Sequence, residues 1–445
     1  MDVSRWMDER RKALWPEVQT LPWSANKEWE FRDGALRHVT DAFFSVVGVS
    51  VSRLRAQGGP VEFPIIHQPE IGLLGFVVCA SDEGTHWLLQ AKSEPGSVDY
   101  VQVGPTVQAT ESNYKRRHGG SPTRYFDLFH DAQTPPLVDA PQSEQGSRFL
   151  GKYNRNAVRL VSERFDPTHP SWHWFDADAI KRALRTDFLI NTDSRSVMAC
   201  SPWSLLCGEA GPFARSAGGS PSDSAHPLAG DLVEALRHSY SFAPPHPDRI
   251  LARLRDEEPG NDLVVHRKSL EALIGWEIGE HRIFSIDESH DVEIENYAVR
   301  APGREVERWQ QPLLKVTRPH VAGLVLHTRE GRLMTFLRFA REPGFGKNVQ
   351  LGPSYQSDGV NPRWVEELAL EQTLPRVVSA RQSDEGGRFM QSIVDYAIHP
   401  VDSTRPLPSD DGVWVDMAEL ESLCRVSGAV TNEGRSAVSV LLALI

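Results

Sequence analysis

Residues 94–108 read EPGSVDYVQVGPTVQ, and residues 342–356 read EPGFGKNVQLGPSYQ. The two strings align without a gap at an offset of 248. Glu94, Pro95, Gly96, Val101, Gln102, Gly104, Pro105 and Gln108 recur as Glu342, Pro343, Gly344, Val349, Gln350, Gly352, Pro353 and Gln356. An internal repeat decides the architecture before any single element is read. Upstream, FPII (63–66) falls on QPLL (311–314), and the apolar alternation of 43–51 falls on 291–299. Downstream the offset becomes 240: QSEQGSRF (142–149) meets QSDEGGRF (382–389). Trp174-Phe175-Asp176 then meets Trp414-Val415-Asp416, and Arg195-Ser196 meets Arg435-Ser436. The chain reads as two copies of one module, over roughly 25–205 and 272–445.

Between the copies, GEAGPFARSAGGSPSDSAHPLAG (208–230) has the Gly, Ser and Pro content of a flexible linker. DLVEALRHSY and DRILARLRDEE carry helical spacing and form a connector attached to the second half. The expected division is 1–207, a first module with an N-terminal extension, then the linker 208–230, then 231–445. Within each module, apolar runs flank a Gly-containing turn, as in IGLLGFVVCA-SDEG-THWLLQAK and VAGLVLHT-REG-RLMTFLRF. These predict hairpins. Asp416 with Glu419 fits a capping box opening a late helix, and DADAIKRALRT is its counterpart. Mixed strands with a terminal helix give an α+β module.

Composition narrows the function. A chain of 445 residues can bury several cores without covalent staples. Its four cysteines, Cys79, Cys200, Cys207 and Cys424, are scattered and read as reduced thiols of a cytoplasmic protein. No clustered ligand pattern predicts a zinc or other metal site. No apolar run is long enough to span a membrane, and Met1–Lys12 is too charged for a secretion signal. A net charge of −12 argues against general nucleic-acid binding. It leaves room for an anionic small ligand held by a few arginines and backbone amides.

The shared motif places Gln102, and in the second copy Gln350, on a short extended piece between two turns, with Thr106, Gln108 and Gln356 just beyond the second turn. Glutamine both donates and accepts, which suits a pyrimidine edge or sugar hydroxyls. The competing reading is that turns and glutamines alike serve the repeat's geometry. The first copy carries more chemistry: Lys92, Glu94, Thr110, Asn113, Tyr114 and His118. Tyr114 and His118 fall on Pro362 and Glu366, and Lys92 falls on Ala340, beside Arg341. One copy therefore looks catalytic, while the other, with Arg341 and Glu342, looks like a binding or supporting copy. Tyr114 is either a catalytic hydroxyl or a half-buried aromatic, and His118 either a catalytic group or a turn residue. Lys115, Arg116 and Arg117 read either as a phosphate clamp or as a solvated basic run. Arg148 and Arg388 are candidate diphosphate forks, and Phe149 and Phe389 candidate base-stacking rings. Each has a structural alternative as a paired arginine or a core aromatic.

At these residues the sequence resembles the nucleotide-hexose 2,3-dehydratases. The resembling strings are QPEIGLLGF (68–76), LLQAKSEPG (88–96), VQVGPTVQATESNY (101–114), GREVERWQQPLL (303–314, with Trp309) and SDEGGRF (383–389). The resemblance implies two tandem modules similar to the Nudix fold, a homodimer, and nucleotide sites in both halves with one active. No G-x5-E-x7-R-E-x-x-E-E-x-G box is present, so metal-dependent Nudix hydrolysis is not expected. The implied substrate is dTDP-4-keto-6-deoxy-D-glucose. The implied product is a dTDP-3,4-diketo-2,6-dideoxyhexose, trapped by a separate 3-ketoreductase in antibiotic deoxysugar biosynthesis. The chemistry requires neither redox cofactor nor metal in principle: a base takes the C3 hydrogen beside the ketone, and an acid protonates the departing C2 hydroxyl. Glu94, Tyr114 and His118 are the candidate base and acid, with Lys92 beside the enolate or a phosphate. A non-catalytic nucleotide-sugar binder, or an epimerase or isomerase acting beside the same ketone, would share most of these features.

Overall fold

Apolar runs interrupted by a two-residue turn fold the middle of each half into a hairpin. Gly72–Ser81 pairs antiparallel with Gly84–Ser93, and His320–Arg329 pairs with Arg332–Ala340. The computed structural model describes residues 2–54, 59–115, 121–131, 134–207, 230–241, 247–287, 290–357, 376–401 and 411–445. Each hairpin is the centre of a seven-stranded mixed sheet. In the first, the order is Val138–Ser143, Tyr153–Val161, Gly72–Ser81, Gly84–Ser93, Trp172–Asp176. In the second it is Val378–Ser383, Ile393–Pro400, His320–Arg329, Arg332–Ala340, Gly412–Asp416. Among the described residues, the one parallel pairing in each has matching register: Asn154 stands opposite Gly72, and Val394 opposite His320. The class is α+β.

Two smaller sheets show how closely the halves are joined. One contains Trp29–Arg32, Ala35–His38, Ser45–Arg53 and Val61–His67, and gains the strand Leu263–Lys268 from the second half. The other contains Trp276–Ile278, Arg282–Ser285, Val292–Arg300 and Arg308–Val316, and gains Glu17–Thr20 from the N-terminal segment. The halves thus exchange one strand each.

The late helices start where their caps predict. Asp416 and Glu419 form the capping box opening Met417–Cys424, and Asp176 caps Ala177–Leu184. Two further helices, Thr192–Cys200 and Asn432–Leu442, are buried on every face and pack on each other. A helix with no solvent face belongs in a core, and these two join residues of both seven-stranded sheets in one apolar cluster. Arg195 and Arg435, fully buried on these helices, donate across the boundary to the carbonyls of Ser383 and Ser143.

The connector helix Gly230–Ser239 docks on the second half, where Ser239 Oγ accepts the Leu333 N–H. The linker proposed at 208–230 lies outside the described residues except for Gly230. All four cysteines are buried free thiols. Among the described residues no helix is long and apolar enough to cross a membrane.

Candidate active site

The two turns of the shared motif bring the halves into contact. A Cβ on Gly96 would lie 1.8 Å from the Phe389 carbonyl oxygen, and one on Gly344 would lie 1.9 Å from that of Phe149. Only glycine permits this approach. Gly96 N–H donates to the Gly386 carbonyl and Gly344 N–H to that of Gly146, at 2.8 and 2.7 Å. The S-x-x-G-x-R-F loop of each half is therefore held against the E-P-G turn of the other.

One consequence is a composite cavity of about 400 Å³. The first half supplies Lys92, Glu94, Gln108, Thr110, Asn113, Lys152, Asn154 and Asp193. The second supplies Arg304, Trp309, Glu385 and Arg388, and the N-terminal sheet adds Trp29, Phe43 and Phe44. Glu94 is buried and accepts from Gln108 Nε2 at 2.7 Å, while Gln108 Oε1 accepts from Asn191 Nδ2 at 3.0 Å. Lys92 Nζ donates to the Gln108 carbonyl at 3.2 Å. Burial, with Arg304 nearby, lowers its pKa. Arg388 donates from Nε to Gln68 Oε1 at 3.0 Å, and its guanidinium lies 4.3 Å from the centre of the Phe44 ring. Arg304 donates to the Ser93 carbonyl and lies over Trp309.

The cavity thus combines aromatic walls, cationic side chains and several carboxylates. A sequence profile of NDP-hexose 2,3-dehydratases matches residues 1–201 and 248–441. The chain belongs to the NDP-hexose 2,3-dehydratase family. It is 31% identical to a dTDP-4-dehydro-6-deoxy-α-D-glucopyranose 2,3-dehydratase of Streptomyces violaceoruber, over 99% of this chain and 96% of that one. Proteins of the same name from Amycolatopsis orientalis and Saccharopolyspora spinosa are each 30% identical, over 99% of this chain and 89% and 90% of theirs.

For a member of this family, the sequence candidates divide clearly by position. Lys92, Glu94, Gln108, Thr110, Asn113, Trp309 and Arg388 line the large cavity. Gln102 does not: its Oε1 accepts from Ser383 Oγ and its Nε2 donates to the Phe188 carbonyl, both at 2.9 Å. Gln350 mirrors it, accepting from Ser143 Oγ at 2.6 Å. Thr106 is buried, tying Val77 N–H and the Leu88 carbonyl. Tyr114 is half-buried and stacks on Phe126, with ring centres 4.5 Å apart. Phe149 and Phe389 pack on each other in the core, 5.4 Å apart. They offer no face to a base. Arg341 pairs with Glu257 at 2.6 Å. Glu342 accepts the Ser147 N–H at 3.1 Å. His118, Arg116 and Arg117 lie outside the described residues, and Lys115 is exposed and paired with Glu111.

Arg148 and Gln356 line a second cavity that mirrors the first, but measures only about 10 Å³. Arg338 reaches Gln356 Oε1 at 2.7 Å there, and His320, bonded to Asp291, stands where the first half has Gly72. Lys92, Lys152 and Asn154 correspond to Ala340, Ser392 and Val394, so this side lacks those cations and that amide.

Several cavity residues were not anticipated: Lys152, Asn154, Asp193, Arg304 and Glu385. Asp193 opens the helix Thr192–Cys200. Burial, reinforced by the Glu385, Glu144 and Glu94 carboxylates, raises its pKa well above the usual range. Burial is also the main reason Glu385 is pushed up to about 7. The signal for Lys152, Asn154 and Glu385 was present in the repeat, since each meets a chemically different residue at the 240 offset. Among the described residues, no cluster of three or more His, Cys, Asp or Glu side chains is placed to hold a metal ion.

Proposed function

We propose that the chain removes water across C2 and C3 of dTDP-4-keto-6-deoxy-D-glucose, giving the dTDP-3,4-diketo-2,6-dideoxyhexose. The observation that carries this reading is the composite cavity, in a chain aligned over 99% of its length with dehydratases named for that substrate. Its volume is suited to a small ligand. Trp29, Phe44 and Trp309 offer surfaces for thymine, while Arg388, Arg304 and Lys152 offer charge for the diphosphate. Gln108, Thr110 and Asn113 orient the sugar hydroxyls.

Glu94 is the base that takes the C3 hydrogen. Its carboxylate is held by Gln108, so it is already aimed. Lys92 stands one side chain away and stabilises the negative charge that develops on the C4 oxygen. Burial, with Arg304 nearby, lowers its pKa, which makes the ammonium a readier proton donor. His118 remains a candidate in the same role set. The wider reading is of two Nudix-like copies in a cytoplasmic homodimer, feeding a 3-ketoreductase in antibiotic deoxysugar biosynthesis. The test is to incubate the protein with the 4-keto sugar, NADPH and a 3-ketoreductase. A product that has lost one water and then gained a hydride is expected by mass spectrometry. Unchanged mass with dTDP bound would replace dehydration by binding alone, and an isomer of unchanged mass but new configuration would indicate an epimerase.

A further inference from the structure

Elimination beside a ketone needs two proton-transfer groups, and the D-gluco configuration constrains where they stand. The C3 hydrogen and the C2 hydroxyl lie on the same face of the ring. Base and acid must therefore approach from one side. In the cavity, Glu94 and Glu385 come from different halves and meet over Gly387. A Cβ there would lie 3.5 Å from Glu94 Oε1 and 3.7 Å from Glu385 Oε1.

The two carboxyls differ in their surroundings. Glu94 Oε1 accepts a hydrogen bond from Gln108 Nε2 at 2.7 Å. Glu385 Oε2 is buried with no hydrogen-bond partner among the described residues. Glu385 is nonetheless fixed by its backbone, whose carbonyl accepts the Arg388 and Phe389 N–H groups at 2.9 and 2.8 Å. Arg195 clamps the same loop through the Ser383 carbonyl at 2.9 Å. In the nearly closed second cavity the matching residue is Gln145, an amide that cannot give up a proton as an acid. Asp193, the other buried carboxyl on the large cavity, has an acidic counterpart there, Glu433. Of the three carboxyls Glu94, Asp193 and Glu385, Glu385 alone meets a residue without a carboxyl in the repeat, since Glu94 recurs as Glu342.

Resting on the dehydratase reading, we propose that Glu385 is the general acid that protonates the departing C2 hydroxyl. Glu94 takes the C3 proton, and the electron pair moves onto the C4 oxygen. The enolate collapses, forming the C2–C3 double bond and breaking the C2–O bond. The Glu385 proton leaves with the hydroxyl as water. The enol then loses its O3 proton and gains one at C2, so the net change is one water. Glu385 starts this cycle protonated, in keeping with a carboxyl that burial pushes up to about 7.

The experiment runs wild type and Glu385→Gln in D2O with the 4-keto sugar, following reductase-coupled product and deuterium at C3 of unconsumed substrate. Loss of turnover by at least ~10²-fold is expected, while C3 exchange and dTDP affinity persist. Glu385→Asp keeps the acid and recovers part of the turnover. Wild-type turnover at saturating substrate falls as pH rises through about 7, where Glu385 loses its proton. Inactive wild type would defeat the dehydratase reading itself. With active wild type, near-normal turnover in Glu385→Gln overturns the assignment. So does loss of C3 exchange together with turnover, or loss of dTDP binding in both variants, since either makes Glu385 a base or a structural residue.

Discussion

Glu94 is buried and its Oε1 accepts from Gln108 Nε2 at 2.7 Å. Substitution by glutamine preserves size and most contacts but removes the basic lone pair. Glu94→Gln is therefore expected to bind dTDP with near wild-type affinity while losing at least ~10²-fold in rate. Calorimetry and the coupled assay measure the two quantities separately. Turnover close to wild type would remove Glu94 from proton transfer. At this scale the sequence was informative where chemistry and repeat asymmetry coincided, as at Lys92 against Ala340. It misled where residues recur in both halves for packing. Gln102 and Gln350 recur because each accepts from a serine of the opposite half, Ser383 and Ser143. A glutamine's ability to donate and accept is as useful to an internal boundary as to a pyrimidine, and one sequence cannot separate these uses.

The element that matters most is the loop carrying S-x-x-G-x-R-F. Its sequence gives no helical or strand period, so its destination was not legible. Two glycines of the opposite half decide it, because any Cβ at Gly96 or Gly344 would collide with a backbone carbonyl. The loop of the second half consequently delivers Glu385 and Arg388 into a cavity whose floor belongs to the first. The equivalent loop of the first half delivers Arg148 beside Asp291, at 3.6 Å, at the nearly closed cavity. The hairpins and the capped helices were legible because their signals are local: a turn between apolar runs, and a side chain three residues from the N–H it caps. On this geometry, Arg388→Ala is expected to weaken dTDP binding roughly tenfold, the loss of one charge-assisted contact. Arg148→Ala should leave the affinity unchanged. Calorimetry on both variants checks it, and equal effects would mean that nucleotide also occupies the second side.

At the scale of the whole molecule, a repeat in sequence need not mean two independently stable units. Each half gives a strand to the other's small sheet, Glu17–Thr20 in one direction and Leu263–Lys268 in the other. The buried helices Thr192–Cys200 and Asn432–Leu442 sit in one apolar cluster with residues from both large sheets. Arg195 and Arg435 cross the boundary with their charges fully buried. Separating the halves would expose that apolar cluster to water and break the bonds these guanidiniums make to the opposite half. Such a boundary behaves as the interior of one cooperative unit. Residues 1–207 and 230–445 expressed separately are therefore expected to be insoluble or unfolded, whereas co-expression should yield a complex that purifies together and turns over substrate. Denaturation of the intact chain should show one transition, coincident by tryptophan fluorescence and by circular dichroism. Two resolved transitions, or a folded first half on its own, would mean that the strand exchange and the shared core contribute little. The composite site would then depend on docking of two autonomous domains.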